Sequence, residues 1–166
     1  MMNRHLFRLS LLLVVAACGT TTQTTNQPAP NGETKSSSSF ERSGFTVMDL
    51  DGRLLVFRNE DPELASYKKH GDLVKSVTRI GAGPGGRTVR APDAETIEAY
   101  SLARPGFVTR VVDGRIWVFA EGSKDWDEFL KTGEPAKSVT KVGAGPNGAT
   151  VKSSDSEVIS KWLAAL

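Results

Sequence analysis

The sequence predicts an α+β fold in which a ββαββα unit of about 60 residues is written twice and packed as one pseudo-twofold domain. Three observations lead there. Residues 44–103 align on residues 106–165 without a gap, at an offset of 62, with 24 identities in 60 positions. In each copy an Asp-Gly pair, Asp51-Gly52 or Asp113-Gly114, separates two β-rich runs. That is the signature of a two-residue hairpin turn with positive φ at both positions. Each hairpin is also apolar on both faces. Phe107, Val111, Ile116 and Val118 alternate onto one side, and Val108, Val112, Trp117 and Phe119 onto the other. The unit's own helices cover one side, and the other copy covers the second. A lone unit of this size has too much surface for its volume to be stable.

The elements follow in order within each copy. Strands are expected over 46–50 and 53–57, and again over 108–112 and 115–119. Asp61 then caps a helix with Pro62 in its first turn and Gly71 at its end; Ser123 and Gly133 do the same in the second copy. Leu64 and Tyr67, or Trp126, Phe129 and Leu130, form its inner face. Strands over 76–80 and 138–142 precede a Gly-Ala-Gly-Pro loop, and short strands over 88–90 and 150–152 follow it. A last helix closes the unit, with Ile97 and Tyr100 inward in copy one. In copy two Ser154-Asp155-Ser156-Glu157 reads as a capping box, and Val158, Ile159, Trp162, Leu163 and Leu166 line one side.

Ahead of the repeats, Arg4 and Arg8 precede an apolar run over 9–15, then Ala16, Ala17 and Cys18, the single cysteine. Charge, apolar run and small residues in that order make an export signal. The run is far short of the ~20 residues that span a bilayer. Val15-Ala16-Ala17-Cys18 resembles the lipobox of bacterial lipoproteins. The resemblance implies cleavage between Ala17 and Cys18, acylation of the Cys18 thiol and new amine, and residence in a bacterial cell envelope. The domain would then face periplasm or exterior. Gly19, where an Asp would signal retention, favours the outer membrane if the source is Gram-negative. Several acyl chains at ~0.8 kcal/mol per buried CH₂ hold a protein stably where one chain does not. The domain plan is thus a signal over 1–17, an acylated cysteine with a spacer over 18–43, and repeats over 44–104 and 105–166. Residues 19–42 hold ten Ser or Thr and one large apolar residue, Phe40. Such a segment buries too little apolar surface to offset its ordering entropy, and as a flexible linker it spans roughly 25–30 Å.

Charge argues against nucleic acid. The chain has 21 Lys and Arg against 19 Asp and Glu, and two of the cations lie in the signal, so the remainder is neutral overall. Catalytic motifs fail on context. Gly81-Ala-Gly-Pro-Gly-Gly86 and Gly143-Ala-Gly-Pro-Asn-Gly148 satisfy GxGxxG, but a strand follows each, where a phosphate site needs a helix N-terminus. Ser138-Val-Thr-Lys141 lies in a strand pattern without the partners of an SxxK nucleophile. Beyond the signal the only histidine is His70, so no metal cluster or hydrolytic triad can be assembled. No cofactor is expected, and the protein reads as a binding module and not an enzyme, with peptidoglycan or another envelope protein as partner. A second reading is a carrier of an anionic small ligand in a cleft between the copies. Its candidate residues are polar or loop positions kept in both repeats: Arg53 and Arg115, Lys75 and Lys137, Ser76 and Ser138, Gly83 and Gly145. The structural reading of the same side chains is a solvated strand face paired with Asp93, Asp155, Glu95 and Glu157.

Overall fold

Residues 39–166 are described by a computed structural model; the lipobox, Cys18 and the spacer up to residue 38 lie outside the described residues. Copy one runs β1 (Phe45–Leu50), β2 (Arg53–Arg58), α1 (Pro62–His70), β3 (Val77–Arg79), β4 (Thr88–Ala91) and α2 (Ala94–Leu102). Copy two repeats it as β5 (Phe107–Val112), β6 (Arg115–Ala120), α3 (Lys124–Thr132), β7 (Val139–Lys141), β8 (Thr150–Ser153) and α4 (Ser156–Ala164). The order is ββαββα twice, and the two copies form two sheets, β1-β2-β4-β3 and β5-β6-β8-β7. In each, the hairpin is antiparallel, its second strand pairs in parallel with the fourth, and the third strand is an antiparallel edge.

The hairpin turns form as the sequence dictates: Asp51 and Asp113 both take φ 50°, with Gly52 at 79° and Gly114 at 70°. The Gly-rich loops join strand to strand through one 3₁₀ turn, Pro84–Gly86 or Pro146–Gly148. Gly83 and Gly145 have ordinary negative φ and serve a different need. A Cβ on Gly83 would stand 2.9 Å from Val89 Cγ2 and 3.1 Å from Leu54 Cδ1, and one on Gly145 would stand 2.9 Å from Val151 Cγ2. Their N–H groups donate to the Arg87 and Ala149 carbonyls at 2.9 Å, which closes each loop on itself.

The helices divide between the faces of their sheet, where the sequence suggested that both would share one. α1 packs with Leu55, Phe57 and Leu73 through Leu64 and Tyr67, and α3 with Trp117 and Phe119 through Phe129 and Trp126. The opposite faces, with Leu54 and Val56 from one sheet and Ile116 and Val118 from the other, meet Ile97 and Tyr100 of α2 and Ile159 and Trp162 of α4 in one continuous core. Each copy therefore shields the other, and the described residues belong to one compact unit. Leu130 and Leu166, expected to face inward, are nearly half exposed: α3 packs through Trp126 and Phe129, and Leu166 lies past the end of α4.

Two caps also differ from expectation. Asp155, not Ser154, caps α4 by accepting from Glu157 N–H at 2.8 Å, while the Ser154 hydroxyl donates to Asp125. Asp93 caps α2 at 2.6 Å. Asp61 stands at the start of α1 without a side-chain cap bond; its carboxylate accepts from both Nε and Nη2 of Arg58 at 3.2 Å. Phe40, the spacer's lone aromatic, packs on the shared core, and the Tyr100 hydroxyl donates to its carbonyl at 2.7 Å.

Candidate functional site

The residues just ahead of each hairpin are themselves a repeat. Arg42 Nη1 donates to the carbonyls of Ser39 and Glu41, and Arg104 Nη1 to those of Ser101 and Ala103, the same three positions of each copy at the offset of 62. Tyr100 O–H to the Phe40 carbonyl is matched by Trp162 Nε1–H to the Leu102 carbonyl at 3.1 Å. Residues 101–105 thus end the first copy and begin the second. Arg104 also donates through Nε to the Ala165 carbonyl, at 3.0 Å, tying the end of α4 to this junction.

The two lead-in segments face a common cleft of about 670 Å³. It takes matched residues from both copies: Arg42 and Arg104, Gly44 and Gly106, Asn59 and Glu121. The Gly44 carbonyl accepts from Asn59 N–H and the Gly106 carbonyl from Glu121 N–H, which fixes both walls at the hairpin bases. Thr46 donates its hydroxyl to Asn59 Oδ1 at 2.8 Å. Glu41 and Glu121 add carboxylates, so the lining carries two guanidinium and two carboxylate groups with amide and hydroxyl between them. A smaller hollow of about 240 Å³ is lined by the same two arginines together with Gly83 and Tyr100. Each guanidinium is held by backbone carbonyls, and these neutral acceptors leave its charge in place.

Behind the Gly44 wall sits Arg110, only 2% exposed, on β5. It grips Glu60 of the other copy in a two-pronged pair, Nε to Oε1 at 2.7 Å and Nη2 to Oε2 at 2.8 Å. Its Cζ lies 4.5 Å from the Trp126 ring centre and 5.2 Å from that of Phe45. Burial pulls this guanidinium below the usual arginine value, and Glu60 offsets part of the loss. Burial acts the same way on Arg58, but there Asp61, Asp93 and Glu60 together outweigh it and leave the group raised.

The residues singled out from the sequence are scattered. Arg53 borders a hollow of about 310 Å³ with Tyr67 and Arg90, and Lys75 borders one of about 510 Å³ with Glu63 and Asp93. Ser76 accepts from Arg90 Nε at 2.9 Å, and Ser138 donates to Glu134 at 3.4 Å. Arg115 and Lys137 are exposed. Arg53 points to the α1 side of its sheet, with Leu55, while Gly83 abuts Leu54 on the shared-core side. Of the set only Gly83 comes near Arg42 and Arg104. The expected pairing also differs, since Asp93 takes Arg58 at 2.9 Å and Glu157 takes Lys161 at 2.8 Å. The signals for the residues that do meet were a lone Arg110 amid apolar strand positions, and the Ser39/Ser101 and Arg42/Arg104 identities. An alignment begun at Gly44 leaves those two pairs out. No protein-family model, no curated protein and no solved structure matches this chain.

Proposed function

We propose that the protein is an exported, lipid-anchored envelope module that works by binding, without catalysis, and that the cleft at the junction of its two copies is where it binds. The observation that carries this reading is the cleft's lining, which takes Arg42 and Arg104 from matched positions of both repeats and adds the carboxylates of Glu41 and Glu121. A lining with both signs of charge suits a polar ligand that also carries both, such as a short peptide with free ammonium and carboxylate groups. The peptide part of peptidoglycan has that chemistry. This narrows the alternative of an anion carrier, because the carboxylates oppose a purely anionic guest.

Two experiments test it. Metabolic acyl labelling of the wild type and of Cys18→Ala should label only the wild type and leave only the wild type on membranes; equal membrane retention of both rejects the anchor. Titration of residues 39–166 with a stem-type tripeptide, followed by amide NMR, should give saturable shifts at Gly44, Gly106 and Asn59. These should weaken at least tenfold in Arg42→Gln and in Glu121→Gln. Absence of saturable shifts at millimolar peptide rejects the cleft as the binding site.

A further inference from the structure

The third strand of each copy is an open edge, and in both copies it presents an unusual surface. Residues 74–80 read Val-Lys-Ser-Val-Thr-Arg-Ile and residues 136–142 read Ala-Lys-Ser-Val-Thr-Lys-Val, with no acidic residue in either. Val77 and Val139 pack on the core and hold each edge in place. Ile80 and Val142, matched at the tips, are 90% and 84% exposed, and Val74 is 98% exposed. An exposed β-branched residue at a turn adds nothing to the core, yet both copies have one. The carboxylates two residues ahead of these segments are occupied in the same way twice. Asp72 is paired with Arg90 at 3.8 Å, and its counterpart Glu134 with Lys152 at 2.7 Å. The cations of the edges themselves, Lys75, Arg79, Lys137 and Lys141, make no ion pair among the described residues. Each edge is therefore a two-cation strip ending in an apolar tip, on a domain that is neutral overall.

We propose that these edges rest on an anionic lipid surface, the Lys and Arg pairs over the head groups and Ile80 or Val142 among the upper acyl carbons. Charge complementarity selects the anionic partner, and the bare apolar tips select a bilayer over an acidic polymer. A cation near an anionic surface raises partition about fivefold, so two give about thirtyfold per edge. That is weak for a free domain and ample for a tethered one, because a short flexible tether holds its domain at an effective concentration near millimolar. The biological occupancy rests on the anchored reading above, whereas the chemistry of the edges does not.

The test uses residues 39–166, which carry every residue of the core and no acylation site, so its outcome is independent of Cys18. Flotation with vesicles of phosphatidylcholine alone and with added phosphatidylglycerol should show binding only to the anionic vesicles. Lys75→Glu with Arg79→Glu, or Lys137→Glu with Lys141→Glu, should reduce it by thirtyfold or more, and Ile80→Ser with Val142→Ser by at least fivefold. The substituted positions are exposed or at the strand edge, so unchanged thermal melting separates lost binding from lost folding. Equal partition onto neutral and anionic vesicles overturns the proposal. So does a loss in the charge variants alone with the Ile80 and Val142 variant unaffected, which assigns the edges to an acidic polymer.

Discussion

Single residues in this protein are constrained by space and by protons in ways that can be measured. Gly83 and Gly145 lie against Val89 and Val151 with no room for a methyl group. Gly83→Ala and Gly145→Ala should each destabilise by about 1–3 kcal/mol, the range for overpacked sites, as read from urea midpoints at unchanged slope. Gly83 and Gly145 look in the sequence like members of a phosphate-binding GxGxxG. Their actual role, close approach of a loop to its own strand, depends on Leu54 and Ile116, some 30 residues earlier, and is invisible in the motif. Tyr100 gives a pH signature. Burial raises its hydroxyl above the ordinary 10.0, with Arg42 opposing in part. An acid raised on folding holds its proton more tightly when folded, so its contribution is complete below pH 10.0 and is lost as pH rises through the folded value. Alkaline difference absorbance should therefore show a late tyrosine phase, and Tyr100→Phe should remove it.

At the scale of elements, helices in matching positions of the two copies have different surroundings. α2 lies along β5, where the Thr109 hydroxyl donates to the Ala99 carbonyl at 2.7 Å and Ala99 is 1% exposed. The counterpart of Ala99 in α4 is Lys161, on the surface and paired with Glu157. β5 is buried along most of its length, and β1 is only half-buried after Phe45. The copies thus agree in fold and differ in how they are covered. Ala99→Lys should cost more than about 3 kcal/mol, because it forces a charge into a dry contact. Lys161→Ala should leave the melting temperature essentially unchanged, as an exposed pair allows. Thermal denaturation of the two variants side by side checks the contrast. Hairpins, turns and helix order were legible because Asp-Gly turns and apolar alternation are local signals. The allocation of α1 and α2 to opposite faces was not, since both helices present apolar residues and local sequence does not say which sheet face each one meets.

Across the whole molecule, the joint between the copies is what makes a site. Arg110 is the polar pin of that joint, clamped to Glu60 and laid between Phe45 and Trp126. Arg110→Ala should destabilise by about 2–4 kcal/mol, and Arg110→Lys should recover little, because an ammonium cannot reproduce the planar two-pronged grip. A double-mutant cycle with Glu60→Gln, measured by denaturant unfolding, should give a coupling above ~1 kcal/mol. The sequence suggested a ligand cleft between the halves only as a second reading, and its candidate residues lie elsewhere. Arg42 and Arg104 act as walls only once the lead-in segments are folded back onto the core by Phe40 and Leu102, a long-range event with no local signature. The most direct measurement is differential scanning calorimetry of residues 39–166. The shared core requires one transition whose calorimetric and van't Hoff enthalpies agree, a ratio of about one. Two resolved transitions, or a ratio of about two, would mean that the copies melt independently and that the cleft between them is not a fixed feature of the fold.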